Sequence, residues 1–258
     1  MMPKFKTIAI DSGGEWGRLT FSYDMKKHAG DYATDKEKIR AVSNYSGATE
    51  RINMVARRLK DFKAAGIEVV ILTHEQIEKV YAKGGMITPK GQTPQEPIAV
   101  KGWPDFPGAQ CPSEVMRAAD NVFRVRRVNG KAMWIGRPEP IGGGGDEWEV
   151  KDRFNAPAIA GGLLPASYFE LAKIAASNPE CNWEPPYIWL IYGPPGIGKT
   201  RSLLSFPQPI KILDIDRGTG SISKETKASN GNISIAQFNS EESDEYQPFL
   251  ATLESVIT

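Results

Sequence analysis

The stretch that decides the fold runs from residue 188 to residue 200 and reads IWLIYGPPGIGKT. Its first part, Ile188–Tyr192, is entirely apolar or aromatic, as is typical of a strand buried on both faces of a parallel sheet. The glycine-rich segment Gly193–Thr200 follows at once, and Leu203 and Leu204 then favour a helix. These residues predict a strand, a tight loop and a helix in succession, which is the repeating unit of an α/β fold.

Further strands and helices alternate along the rest of the chain. The predicted strands are Thr7–Ile10, Val69–Thr73, Asn121–Val128, Ala132–Arg137 and Ile210–Ile215, and the predicted helices are Thr49–Ala65 and Ala166–Ala176. This alternation predicts an α/β fold with a central, mostly parallel sheet. Segments rich in glycine, proline or polar residues are predicted to be loops: Lys79–Ser113, Pro138–Asp146 and Gly218–Tyr246, the last with a short strand near Ile233–Phe238.

The composition excludes several classes of protein. The 258 residues carry 32 Lys and Arg against 31 Asp and Glu, a net charge of +1, which excludes a polybasic or acidic-tail protein but not a local basic path for nucleic acid. No apolar run approaches the roughly 20 residues of a membrane helix, and the N-terminus lacks a signal-peptide core. The two cysteines, Cys111 and Cys181, are far apart and predict reduced thiols. We therefore expect a cytoplasmic protein without a membrane segment.

The glycine-rich segment fits the P-loop (Walker A) pattern at every fixed position. Glycines let successive backbone N–H groups point at one phosphate, and the start of the following helix also favours an anion. Lys199 supplies a cation for the β- and γ-phosphates of ATP, and the hydroxyl of Thr200 can ligate Mg²⁺. The residues predicted to hold the nucleotide are Gly193, Pro194, Pro195, Gly196, Ile197, Gly198, Lys199, Thr200 and Arg201.

A second ligand for a hydrated Mg²⁺ is expected at the end of a neighbouring buried strand. Asp11 follows the apolar strand Thr7–Ile10 and therefore lies at the sheet edge where α/β folds bind ligands. The alternative is that Asp11 only caps the next turn. Asp214 and Asp216 end a second strand in the same way, although the sequence Asp-Arg-Gly after it is also ordinary turn chemistry.

Together these motifs resemble the RecA-like P-loop ATPases, and specifically the phage Sak-type nucleotide-binding family linked to recombination. That family has a P-loop, an acid-tipped strand, a magnesium-acid strand ending in Asp-Ser, a helix leading to a strand ending in His, and a Lys-Asp-Arg motif. The corresponding segments here are Tyr192–Thr200, Leu213–Gly218, Ile8–Ser12, Arg57–Glu75 and Lys151–Arg153. The resemblance implies a three-layer P-loop fold forming one domain over residues 1–258.

The order of the motifs is rotated relative to that family. Residues 1–178 resemble its C-terminal part, and residues 185–258 resemble its N-terminal part with the Walker A loop. Joining the end of the chain to its start would place a predicted helix, Pro248–Val256, directly before the strand Thr7–Ile10. We therefore expect a circular permutant, which a compact domain tolerates because its termini are often close together at the surface.

The resemblance also implies roles for individual residues. Asp216 corresponds to the carboxylate that activates the attacking water, with Glu15 as the alternative base. His74 resembles the residue that senses the γ-phosphate, although an isolated histidine is often structural. Lys151 and Arg153 resemble the cations that reach a neighbouring subunit's site in a homo-oligomer and stabilise transition-state charge. Without such a neighbour they are ordinary surface charges.

A nucleic-acid interface is suggested by cations interleaved with aromatic rings after His74, which suits single-stranded DNA, although a solvated loop has the same composition. These residues are Lys79, Lys83, Lys90 and Lys101 with Tyr81, Trp103 and Phe106. A second basic patch lies on a predicted hairpin, where charge can equally protect a sheet edge. It comprises Arg124, Arg126, Arg127 and Lys131.

Three functions are consistent with these patterns. The first is a Mg²⁺-dependent ATPase that acts on single-stranded DNA in phage recombination, as an oligomer and with an annealing or single-strand-binding protein as partner. The second is an ATP-dependent switch or scaffold that acts on a protein. The third is a small-molecule P-loop kinase, which is disfavoured because residues 79–113 do not resemble an Arg-rich lid.

Overall fold

A computed structural model describes residues 4–27, 42–80, 99–107, 111–141, 147–228 and 231–256, with only the backbone described for residues 42–46, 78–80 and 99–100. Eight strands form one sheet in the order β12-β11-β1-β2-β10-β5-β6-β9. They are β1 (Thr7–Asp11), β2 (Glu68–Thr73), β5 (Asn121–Val128), β6 (Lys131–Ile135), β9 (Leu163–Pro165), β10 (Ile188–Tyr192), β11 (Ile210–Asp214) and β12 (Ile233–Gln237). The six strands from β12 to β5 are parallel, and β6 and β9 are antiparallel additions at one edge.

Helices cover both faces of this sheet. They are α1 (Gly13–Lys27), α2 (Val42–Ala64), α3 (Cys111–Ala118), α4 (Tyr168–Ser177), α5 (Lys199–Ser202), α6 (Ser223–Ala228) and α7 (Tyr246–Glu254). One apolar cluster contains residues of α1, α2, α3 and α7, and a second contains residues of α4 and the segment after α5. The molecule is therefore an α/β fold in which a mostly parallel sheet lies between two layers of helices.

The central strands are apolar at successive positions because each face of the sheet is buried. In β10, Ile188 and Leu190 pack in the first cluster, whereas Trp189 and Ile191 pack in the second. All four side chains are essentially inaccessible to water. Side chains alternate between the two faces of a strand, so a strand buried on both sides needs apolar residues throughout.

A small second sheet lies beyond the edge of the main sheet at which β2 and β10 end. Its order is β3-β4-β8-β7, with β3 (Glu75–Val80), β4 (Ala99–Pro104), β7 (Glu139–Pro140) and β8 (Glu147–Trp148). Arg124 of β5 fastens the two sheets together: its Nε donates to Glu75 Oε2 at 2.9 Å, and its guanidinium lies 3.7 Å from the Trp148 ring centroid. Tyr192 adds a hydrogen bond from its hydroxyl to Glu149 O at 2.6 Å.

The structure confirms the α/β class and all six predicted strands, and β12 coincides with the short strand predicted near its position. Three predicted loops are partly wrong. β4 and the start of α3 lie within Lys79–Ser113, β7 lies within Pro138–Asp146, and α6 lies within Gly218–Tyr246. The sequences of β4 and β7 have no periodic apolar face. β4 is ordered by pairing with β3 and β8, and β7 is ordered by pairing with β8.

The two cysteines are free thiols, as the sequence predicts: Cys111 is buried and Cys181 is partly exposed. Across the ranges that the structure describes, no helix combines the length and the apolar composition required to cross a bilayer.

Candidate functional site

Three adjacent parallel strands bring the predicted site residues to one edge of the sheet. Tyr192 of β10 is in register with Thr73 of β2, and Leu72 is in register with Asp11 of β1. The residues that follow each strand therefore emerge side by side: Gly193, His74 and Ser12. We call this edge, with the residues that emerge there, the carboxyl edge.

Thr200 and Asp11 are in direct contact across this edge. The Thr200 hydroxyl donates to Asp11 Oδ2 at 2.7 Å, although the two residues are 189 positions apart in the chain. Asp11 is 3% exposed, and Thr200 is half-buried at the start of α5. A threonine hydroxyl beside a carboxylate is a pair of oxygen ligands of the kind that Mg²⁺ accepts, with water completing its shell.

The glycine-rich loop Gly193–Thr200 curls at two glycines. Gly196 and Gly198 have φ values of 70° and 102°, the left-handed region that favours glycine. At its start, a Cβ on Gly193 would lie 2.6 Å from Val125 O, so the loop packs directly on β5. α5, the helix start expected to favour an anion, has only four residues before a 3₁₀ turn at Leu203–Ser205, so its dipole contributes little. Backbone N–H groups and Lys199 are left as the donors.

Lys199 folds back over the loop that precedes it. Its Nζ donates to Gly193 O and to Pro194 O, both at 2.9 Å, and the residue is 8% exposed. Burial lowers the pKa of Lys199, and the nearby charge of Asp11 opposes this shift. An ammonium group held only by two carbonyl oxygens can exchange them for phosphate oxygens with little rearrangement of the backbone.

Carboxylates outnumber cations around Asp11. Burial, and secondly the negative charge of Asp216, raises the pKa of Asp11 to about 7, with Asp214 adding to the effect and Lys199 opposing it. The donor set therefore fits a divalent cation, which would relieve this repulsion. Within the described ranges no group of three His, Cys, Asp or Glu side chains has metal-binding geometry, so Asp11 and Thr200 are the protein oxygens available to a mostly hydrated ion.

The two acids that end β11 have different surroundings. Asp214 is completely buried and accepts hydrogen bonds from the N–H of Gly218 at 3.0 Å and from the hydroxyl of Thr219. Asp216 is exposed and accepts from the same Gly218 N–H at 2.7 Å. Asp214 therefore orders the turn after β11, whereas Asp216 is exposed and its negative charge acts on Asp11.

Both carboxylate oxygens of Glu15, the alternative base, already have partners in the chain. Its Oε2 accepts from the Ser240 hydroxyl at 2.5 Å, and its Oε1 pairs with Arg18. Both contacts lie on the α1 side of the carboxyl edge. Of the two candidate bases, Asp216 is therefore the one without an ion pair among the described residues.

His74 lies between the two halves of the site because β2 separates β1 from β10. Burial, and secondly the charge of Lys199, lowers the pKa of His74, so its imidazole is held neutral. Its Nδ1 is buried and has no hydrogen-bond partner among the described residues. Two acids that the sequence did not predict at this site, Glu75 and Asp105, lie beside His74. Arg124 pairs with Glu75, and the Asp105 N–H donates to His74 O at 2.8 Å. Only Glu75 could have been predicted here, because it directly follows His74 in the sequence.

Lys151 and Arg153 lie at the opposite edge of the sheet, beside the start of β5. Lys151 Nζ donates to the carbonyl oxygens of Met116, Arg117 and Ala119 at the end of α3. This ammonium is therefore occupied within its own chain, which does not fit its predicted role in a neighbouring site. Arg153 pairs with Asp120 at 3.6 Å, and its side chain is 62% exposed at the surface.

Only some of the residues predicted to bind nucleic acid are exposed in the part of the chain that the structure describes. Lys83, Lys90 and Tyr81 lie outside the described residues, as does the side chain of Lys79. Phe106 is not available for stacking on a base because it is buried against Trp16, whereas Lys101 is exposed beside Trp103. In the second patch Arg124 and Arg126 are paired with acids, and Arg127 and Lys131 are exposed.

No family model, curated protein or solved structure matches this chain. Its function must therefore be argued from the geometry of the carboxyl edge.

Proposed function

We propose that the chain is a Mg²⁺-dependent P-loop ATPase of the RecA-like class that acts on single-stranded DNA. The observation that carries the proposal is the 2.7 Å hydrogen bond between Thr200 and Asp11. A glycine-rich turn beside a buried strand needs no distant carboxylate for its own stability. A phosphate site that uses a hydrated Mg²⁺ needs one at this position.

Each residue then has a distinct task. Thr200 and Asp11 would hold Mg²⁺, which would supply neutralisation of the negative charge of the terminal phosphates. Lys199 leaves the loop carbonyls and binds the same phosphates, and Asp216 orients the attacking water. His74, neutral and next to Lys199, is placed to register the terminal phosphate. Arg153 acts on the site of a neighbouring subunit, so turnover is faster in a homo-oligomer than in a monomer.

The topology supports a circular permutation. β12 and β1 are parallel strands of one sheet, and α7 follows β12. Phe5, Leu253 and Val256 lie in the same apolar cluster. A connection from α7 to β1 would therefore complete an ordinary strand–helix–strand crossover.

The test compares wild-type protein with Lys199→Ala, with and without single-stranded DNA. We expect the variant to lose about 100-fold or more of the ATP hydrolysis rate, by analogy with removal of one transition-state donor. Lys173→Ala, an exposed lysine on α4, is the control and should leave the rate unchanged. Hydrolysis that DNA does not stimulate, together with no salt-sensitive DNA binding, would remove the DNA part of the proposal.

A second function is favoured by one observation. Both oxygens of Glu15 are occupied, and one oxygen of Asp216 is bound to the turn. A site with a weak base binds ATP and hydrolyses it slowly, which suits a nucleotide-dependent switch acting on a protein partner. Tight ATP binding without measurable turnover, with or without DNA, would favour this alternative.

A further inference from the structure

A groove borders the glycine-rich loop on the side away from Asp11. It encloses about 440 Å³ between the loop, the start of α4 and the tip of the β5–β6 hairpin. The groups that give it chemical character are Arg127, Lys131, Arg201 and Glu170, and its floor includes Pro165 and Ile197. We call it the hairpin groove. One wall of the groove belongs to the segment predicted to hold the nucleotide, with Gly196, Gly198 and Arg201, but no task proposed above assigns a ligand to the opposite wall.

The proposed function fixes which end of a nucleotide can face this groove. Lys199, Thr200, Asp11 and His74 all act on the terminal phosphates, and β1 and β2 lie on one side of β10. The hairpin lies on the other side, because β5 is the opposite neighbour of β10. A nucleotide with its terminal phosphates beside Asp11 therefore extends its sugar and base toward the hairpin.

The composition of the groove favours a nucleoside over a phosphate chain. Arg127 and Lys131 are exposed, and neither forms an ion pair with another described residue. A planar guanidinium can stack on a base and gains cation–π attraction there. Glu170 would repel a phosphodiester backbone but can accept hydrogen bonds from sugar hydroxyls or a base amine. Arg201 is held by Glu225 at 2.8 Å, which reduces its attraction for a further anion.

We propose that the hairpin groove binds the base and sugar of the nucleotide, and that Arg127 stacks on the base. This inference rests on the proposed ATPase function and adds a nucleoside subsite to it. The subsite is built on a hairpin whose turn, Asn129 and Gly130, has positive φ at both residues, as a two-residue hairpin loop requires.

The experiment compares ATP with inorganic tripolyphosphate, which lacks the nucleoside. Binding of each ligand, in the presence of Mg²⁺, is measured by calorimetry for wild type, Arg127→Ala and Lys131→Ala. Arg57→Ala, an exposed arginine on α2 at the other face of the sheet, is the control. We expect Arg127→Ala to weaken ATP about fivefold, as the loss of about 1 kcal/mol of cation–π attraction implies, and to leave tripolyphosphate within twofold.

The possible results distinguish failure of the nucleoside subsite from failure of the proposed ATPase function. Wild-type protein that binds neither ligand refutes the ATPase proposal, and this inference with it. Wild-type protein that binds both, while Arg127→Ala leaves ATP binding unchanged or weakens both ligands equally, refutes the nucleoside subsite alone. A variant that loses affinity for a single-stranded oligonucleotide and keeps its affinity for ATP would also overturn it, since the groove would then serve nucleic acid.

Discussion

The two edges of the central sheet differ in how many hydrogen-bond donors surround a buried carboxylate. At the edge where the parallel strands begin, Glu68 accepts hydrogen bonds from the Tyr168 hydroxyl at 2.7 Å, the Tyr187 N–H at 2.9 Å and the Trp189 indole N–H at 2.7 Å. Asp120 accepts from the Ile188 N–H at 2.9 Å and pairs with Lys63 at 2.7 Å. Each of these two buried acids has donors in the folded chain.

At the carboxyl edge the balance is reversed. Asp11 has one side-chain donor, the Thr200 hydroxyl, and faces Asp214 and Asp216, while Lys199 is held by two carbonyl oxygens, as far as the described residues show. Burial without matching donors costs free energy, and a fold tolerates that cost at sites that bind something. The comparison indicates that Glu68 and Asp120 hold the fold together, whereas Asp11 has one donor and is the buried acid to which the proposed function assigns a cation. Substitutions at the two edges test this contrast.

The largest effect is expected from Glu68→Ala. Removing the carboxylate leaves three buried donors without an acceptor, which should lower the free energy of unfolding by about 3–5 kcal/mol. Urea denaturation measures the change, and Glu114→Ala on the exposed face of α3 is the control. A loss below about 1 kcal/mol would show that these hydrogen bonds are not needed and would weaken the contrast between the two edges.

Asp11→Asn should have the opposite sign in metal-free protein. A carboxyl with a pKa of about 7 when folded and 3.8 when unfolded binds its proton more tightly in the folded chain, so rising pH between these values favours unfolding. The shift sets a ceiling of about 4 kcal/mol, which water penetration reduces to about 1–2 kcal/mol. Asparagine still accepts from Thr200 but carries no charge, so the variant should be more stable at pH 8.

The advantage of Asp11→Asn should shrink as the pH is lowered from 7 toward 4. Addition of Mg²⁺ and ATP should raise the melting temperature of the wild type and have little effect on the variant, because ligands stabilise only the state that binds them. A variant that is less stable than wild type at pH 8 would show that the charge of Asp11 does not destabilise the folded chain.

The smallest effect is expected at Lys151. Replacement by Met keeps the aliphatic stem but removes the cation from the carbonyl oxygens at the end of α3, which should cost about 1 kcal/mol. Arg153→Ala should change stability by less than about 0.5 kcal/mol, since its ion pair is largely exposed. Thermal and urea denaturation measure both changes. Unchanged stability for Lys151→Met, with slower ATP hydrolysis in an assembled protein, would restore Lys151 to a neighbouring site.

Local pattern was sufficient where a residue's environment follows from its neighbours in the chain. The short apolar run Ile188–Tyr192, followed at once by a glycine-rich segment, favours a buried strand, and the glycines at 196 and 198 permit a turn that other residues resist. Asp11 could be placed at the strand's end for the same reason. The parallel arrangement followed from the alternation of strands and helices, and the order of the motifs was read from the sequence alone.

Only the tertiary structure decided which charged side chains have hydrogen-bond or ion-pair partners within the chain. The sequence predicts the same role for Lys151 and Arg153, and places Arg124 and Arg127 in one basic patch. In the structure, Lys151 and Arg124 are bound by other groups of the chain, whereas Arg153 and Arg127 are exposed. The same holds for Phe106, which is buried rather than available for stacking. Hydrogen bonds and burial join residues that are far apart in sequence, so a charge's partner, unlike its type, is not encoded in the residues beside it.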